Sequence, residues 1–238
     1  MAGLFAFDRH DLTAVLAEFL GTAYFLFMGV GGAIAFGSSS IAGIGIPFSF
    51  GWSLMVNVFL WAPISGGVLN PAITIGLMAT RSLKLIRGLL YIIAQLLGAL
   101  LGSFLIKVLL PGDPNGATVL GPNTSVAQGF FLEMFATSVL TFAVLFMAIE
   151  KHAVFMAPFV IGISLFISAL AIFGNYGNGH WIYYFGPTAG SLLAAGYWYL
   201  FTKLDYKKAS GGDKEDEEFN FNGSKPENET NETNETMA

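Results

Sequence analysis

Cysteine is absent from the 238 residues, which excludes disulfides, thiol nucleophiles and cysteine-held metals. Histidine is nearly as scarce. His10, His152 and His180 stand far apart with no ligand spacing, so neither a metal centre nor any other cofactor is expected. Charge is the third shortage: only 11% of residues are Asp, Glu, Lys or Arg, less than half of the roughly 25% that covers a soluble domain. The charge that exists is unevenly placed. Residues 1–203 carry 7 Lys/Arg and 6 Asp/Glu, whereas residues 204–238 carry 4 and 10. The acidic balance is thus a property of the tail and says nothing about what the body binds. No enzymatic activity and no nucleic-acid partner are expected.

Apolar residues supply the rest. They make up 54% of the chain, aromatics 15%, and the mean hydropathy is +0.64. A membrane-spanning helix needs about 20 mostly apolar residues, because some 30 Å of hydrocarbon is crossed at 1.5 Å per residue. Six stretches meet this: 12–36, 46–64, 88–110, 128–149, 155–173 and 181–202. The first is too long for the apolar core of a signal peptide and is expected to be a retained span. Arg81, Lys84 and Arg87 follow the second, Lys151 the fourth, and Lys203, Lys207 and Lys208 the sixth. By the positive-inside rule both termini should then be cytoplasmic. The expected layout is a short N-terminus (1–11), a transmembrane domain (12–203) and a disordered acidic tail (204–238). The tail repeats Asn-Glu-Thr at Asn228, Asn231 and Asn234. Of the formal glycosylation sequons, only Asn123 falls on the outer side.

The chain also resembles itself. Glu18-Phe19-Leu20-Gly21-Thr22 returns as Glu133-Met134-Phe135-Ala136-Thr137, offset by 115. Pro47-Phe48-x-x-Gly51-x-Ser53-Leu54 returns as Pro158-Phe159-x-x-Gly162-x-Ser164-Leu165, offset by 111. Ala94-Gln95-x-x-Gly98 is weakly echoed by Gly186-Pro187-x-x-Gly190, offset by 92. Three spans repeated after three spans must run in opposite directions through the bilayer, an inverted repeat of the kind transport proteins use. The fall in offset from 111 to 92 means that the second half is shorter by 19 residues, all between spans five and six.

The first half uses those residues for Ser65-Gly66-Gly67-Val68-Leu69-Asn70-Pro71-Ala72 and the stretch to about Thr80. Asn is a good helix N-cap and Pro a good first residue. A helix from Pro71 to Ala79 would be roughly 13 Å long, about half the hydrocarbon thickness. Gly66 and Gly67 allow the preceding turn. Such a segment is stable in a membrane only where protein or a water-filled cavity satisfies its backbone, so it argues for a pore. Its positive dipole end would oppose cations, while carbonyls and the Asn70 amide would take neutral molecules. The plain alternative is a helix cap in a turn. Glu18 and Glu133 are carboxylates deep in spans, where charge is expensive and points to function.

Together, Ala17-Glu18-Phe19-Leu20-Gly21-Thr22, Ser65-Gly66-Gly67-x-x-Asn70-Pro71-Ala72-x-Thr74, Ala94-Gln95-x-x-Gly98-Ala99 and His180-Trp181-x-Tyr183-Tyr184-x-Gly186-Pro187 resemble the marker segments of the aquaporin (major intrinsic protein) family. The resemblance covers residues 12–203. It implies an all-α membrane protein of six transmembrane helices in an inverted 3+3 repeat, with one re-entrant half-helix and the second missing. It further implies a passive channel for water and small neutral solutes, assembled as a homotetramer in the plasma membrane or an internal vacuolar membrane. The flavour is that of orthodox water channels of eukaryotic microbes, since Tyr183-Tyr184 is aromatic where glycerol-conducting relatives have a Pro-Leu type pair. By the same resemblance Asn70 is the first NPA asparagine, Phe50 an outer-constriction aromatic, and Ala169 stands where water-specific members have histidine. Glu18 and Glu133 would hold loop backbone. The second asparagine and the filter arginine have no counterpart. A non-conducting isoform or deletion product is therefore an alternative reading. An ion-coupled transporter would need more intramembrane charge and broken helices in both halves.

Overall fold

A computed structural model describes residues 9–110, 125–149, 154–172 and 181–209. The acidic tail beyond 209, Asn123, His152, His180 and the segment 173–180 lie outside the described residues. The order is α1 (Arg9–Phe36), α2 (Ala42–Ser65), α3 (Pro71–Ala79), α4 (Leu85–Leu109), α5 (Val126–Val144), α6 (Ala157–Ile172), α7 (Ile182–Lys203) and α8 (Tyr206–Ala209). A π-helical turn, Leu145–Ile149, extends α5, and one 3₁₀ turn, Val154–Met156, leads into α6. Among the described residues there are no strands.

Among the described residues, five helical stretches are long and apolar enough to cross a membrane: α1, α2, α4, α5 with its π turn, and α6 with its 3₁₀ turn. The sixth expected span, α7, has the length, at 22 residues, but is not among the five. Its tyrosines, Thr188 and Ser191 dilute the apolar run.

The chain divides into two units by contact, Met1–Leu200 and Phe201–Ala238. In the first unit α1 packs on α2 and α4, α2 on α6, α5 on α6, and α3 on α4 and α5. Its interior holds an apolar cluster that includes Leu54, Val58, Ile73, Leu77 and Leu145, and many polar groups are buried beside it. Fully or nearly buried positions include Glu18, Thr22, Ser53, Asn57, Thr74, Gln95, Thr141 and Ser191, while Leu12, Phe59, Leu100, Phe104 and Phe185 are each at least 60% exposed. Lipid chains are as apolar as Leu and Phe, so those side chains gain nothing by burial. Small and polar residues hold the helices together instead. In the second unit α8 is one turn long, and Lys208 pairs with Asp205 at 2.7 Å.

The internal repeat is visible in the packing. Gly51 of α2 and Gly162 of α6, equivalents at offset 111, face each other. A Cβ on either would sit 2.7–2.8 Å from the other's carbonyl oxygen. A reciprocal contact between equivalent residues is what a two-fold axis between the halves requires. The flanks agree. Gly98 of α4 lies against the Phe19 carbonyl of α1, and Gly190 of α7 against the Met134 carbonyl of α5. Both members of each pair are related by the sequence offsets.

Candidate functional site: the loop into the half-length helix

The site begins where α2 ends. Gly66 and Gly67 take positive φ (98° and 59°), then Leu69 does too (φ 52°), and Asn70 is extended. Three left-handed residues in four positions make a turn that runs straight into α3. For leucine that backbone is strained, by about 1–2 kcal/mol. It is held by outside contacts. The Leu69 amide donates to Glu18 Oε2 at 2.7 Å, and the Leu69 side chain is buried where Gly21 leaves it room. Among the described residues, the carbonyls of Gly66, Gly67, Val68 and Leu69 accept no hydrogen bond.

Asn70 caps α3 in the way its sequence position suggests. Its Oδ1 accepts from the amides of Ala72 (2.9 Å) and Ile73 (3.4 Å), and Pro71 occupies the first turn. The cap uses the oxygen and leaves the amide nitrogen as a donor. The half-buried Asn70 thus stands at the positive end of a nine-residue helix. The other end of α3 is closed from α7, where the Tyr199 hydroxyl donates to the Ala79 carbonyl at 2.9 Å.

Glu18 is the hub. It is fully buried and accepts four hydrogen bonds: from Ser65 Oγ (2.6 Å) and Val68 N (3.0 Å) on Oε1, and from Leu69 N (2.7 Å) and Gln95 Nε2 (2.8 Å) on Oε2. Gln95 also meets Thr74 of α3, which donates to the Asn70 carbonyl at 2.9 Å. One carboxylate from α1 therefore fixes the end of α2, the turn, and through α4 the first coil of α3. Bonds to a charged acceptor are worth about 1.5–3 kcal/mol each, enough to offset the several kcal/mol that desolvating a carboxylate costs.

The described residues of the second half differ at the equivalent positions. Glu133 on α5 is half-buried and packs against Gly186 of α7. The position equivalent to Gln95 is Pro187, which has no side-chain donor. Between α6 and α7 lie nine residues (173–181), against nineteen (66–84) between α2 and α4. Among the described residues α3 is the one half-length helix within the bundle.

Phe50 and Ala169 sit half-buried on the adjacent helices α2 and α6. Phe50 meets Phe25 edge-on at 6.3 Å and fills the space beside Gly29. Fifteen residues separate Phe50 from Ser65, roughly 22 Å along the helix axis. Phe50 therefore lies well away from the Asn70 turn. An apolar hollow of about 340 Å³ lies elsewhere, between Met55 and Phe59 of α2 and Phe155, Met156 and Phe159 at the start of α6. Its walls are outward-facing side chains, so it belongs to the outer surface.

The family profile described as Major intrinsic protein matches residues 7–179. The chain belongs to the major intrinsic protein family. It is 55% identical over 222 residues to Aquaporin-1 of Rhizophagus irregularis, covering 83% of this chain and 80% of that one. It is 39% identical over 238 residues to Aquaporin-1 of Gibberella zeae, covering 87% and 75%. The X-ray structure of the aquaglyceroporin from Plasmodium falciparum superposes with a TM-score of 0.69 over 82% of this chain and 99% of that one. At 22% identity, that last likeness establishes the fold alone. Within this family of channels the chain is an integral membrane protein.

Sequence reasoning picked out Glu18, Gly66, Gly67, Asn70, Pro71 and Ala72, and the fold brings these together. It did not pick out Ser65 or Gln95 as partners of Glu18, nor Thr74 as a partner of Gln95. Gln95 stands in the sequence reading as part of a repeat and of a family marker segment, with no partner assigned. The available signal was a polar amide deep in an apolar span, which must find a partner there.

Proposed function

We propose that the chain forms a passive pathway for water and small neutral solutes along the 66–70 turn. The observation that carries this is the turn itself: Glu18 holds the Val68 and Leu69 amides, the carbonyls of Gly66 to Leu69 accept no hydrogen bond among the described residues, and the turn ends on an Asn70-capped helix. Unpaired carbonyls accept from water and hydroxyl groups. The Asn70 amide and the positive end of α3 donate to lone pairs and oppose cations. The names of the relatives, aquaporins and an aquaglyceroporin, support the same class of solute. Phe50 and Ala169 would border the outer entrance. Alanine there leaves the entrance wide, which favours small neutral solutes alongside water. The Lys/Arg distribution supports cytoplasmic termini, and the family supports a homotetramer.

A second reading has its own observation. Nine residues between α6 and α7 cannot carry a turn and a nine-residue half-helix like those between α2 and α4. An isoform or deletion product without the second half-barrier would conduct less, or less selectively. Proteoliposomes separate the two. Under osmotic shock, vesicles holding the folded chain should shrink faster than empty ones. Equal rates would leave the non-conducting reading standing.

A further inference from the structure

Tyr91 of α4 is completely buried. Its hydroxyl donates to the Ser65 carbonyl at 2.7 Å. Ser65 is the last residue of α2, and its carbonyl is one of those a helix end leaves without an internal partner. The side chain of the same serine donates to Glu18 at 2.6 Å and accepts from the Gly67 amide at 3.1 Å. Ser65 is therefore gripped by α1 through its hydroxyl and by α4 through its backbone. One turn before Tyr91, the Arg87 guanidinium lies 5.6 Å from the Tyr91 ring centroid, and Arg87 Nε is 3.1 Å from Asp11 Oδ1. Asp11 sits in the first turn of α1, its side chain only 6% exposed. A continuous run of contacts joins Asp11, Arg87, Tyr91, Ser65 and Glu18.

We propose that Tyr91 is a positioning residue for the 66–70 turn, and that the Asp11–Arg87 ion pair holds Tyr91 in place from the amino-terminal end of α1. A phenylalanine would fill the same volume, so packing alone does not call for the hydroxyl. Among the described residues that hydroxyl donates to the carbonyl from which the turn starts. The turn contains a strained leucine and cannot hold itself, so it depends on restraints from outside. Glu18 restrains its amides, and Tyr91 fixes its point of departure.

The inference rests on the reading of this turn as the pore wall, but its test does not require flux. Hydrogen exchange of the full chain in vesicles is followed by mass spectrometry for peptides covering 65–72, with α6 peptides as the internal reference. Tyr91→Phe should raise exchange at Gly67–Leu69 about three- to tenfold, the range that losing one net hydrogen bond gives, and leave α6 unchanged. Asp11→Asn and Arg87→Gln should raise the same amides by a smaller factor, and the swapped pair Asp11→Arg with Arg87→Asp should recover part of the protection. If Tyr91→Phe does not fold, Arg87→Gln reads the same turn through the same contact. Unchanged exchange at 67–69, or a rise spread equally over α6, would overturn the proposal. Failure of the pore reading would show separately, as absent osmotic flux with the exchange pattern intact.

Discussion

Glu18 accepts four hydrogen bonds in a space sealed from solvent; its removal leaves the Val68 and Leu69 amides without an acceptor, while Ser65 Oγ retains the Trp61 carbonyl and Gln95 Nε2 retains Thr74 Oγ1. Each buried donor left unpaired costs about 1–3 kcal/mol, with some relief from relaxation. Glu18→Ala should therefore destabilise the fold by roughly 3 kcal/mol or more, a change that lowers the detergent melting temperature by several degrees. Glu18→Gln should fall between, because one amide oxygen can still accept while the new N–H₂ opposes its neighbours. A melting curve for Glu18→Ala that overlies the parent would refute the hub. Asn70→Ala is a milder change at the same site. The lost cap is worth about 1 kcal/mol, so helicity by circular dichroism should persist while solute flux falls, because the lumen donor goes with the side chain.

At the scale of helices, backbone contact sets the tolerance for substitution. Gly98 and Gly190 each lie against a carbonyl of the neighbouring helix, and that carbonyl belongs to backbone that cannot swing aside. Gly98→Val or Gly190→Val should separate α1 from α4, or α5 from α7, and abolish a monodisperse peak in size-exclusion chromatography. Gly196 has nothing within 4 Å of a Cβ. Gly196→Ala should elute and melt like the parent, and a collapse there would contradict the packing described. Five of the six expected spans were legible from sequence because apolar runs of helical length admit one reading in a bilayer. The half-length helix was legible from Asn70 and Pro71, whose chemistry favours a helix start. Less could be read from α4. Gln95, Tyr91 and Arg87 lie on an apolar span, and a single helix does not say which residues of other helices its polar groups will meet. Only the fold puts Gln95 against Glu18, a residue 77 positions earlier.

For the whole molecule, the sequence offsets and the fold express one asymmetry. The halves share their helix contacts, through Gly51 with Gly162 and through the Gly98 and Gly190 crossings, but the connection between α6 and α7 is ten residues shorter than its counterpart between α2 and α4, a smaller figure than the 19 of the repeat offsets because it is counted between helix ends. Repeat arithmetic could find the shortfall because it needs only matched positions. It aligns Pro187 with Gln95 but could not show that Gln95 holds Glu18, which depends on the network seen in the first half. If the asymmetry limits selectivity, inserting a 19-residue Asn-Pro-Ala-containing segment after Phe173 should lower ion leak and raise water flux. No change in either would separate the missing segment from any defect.

The central claim is that the Glu18-held turn and Asn70 half-helix make a path for water and small neutral solutes. Stopped-flow light scattering on proteoliposomes under osmotic shock tests it most directly. The account predicts shrinkage faster than in empty vesicles, reduced in Asn70→Ala at equal protein content. Shrinkage no faster than the lipid alone, from chain shown to be folded by its melting curve, would contradict it.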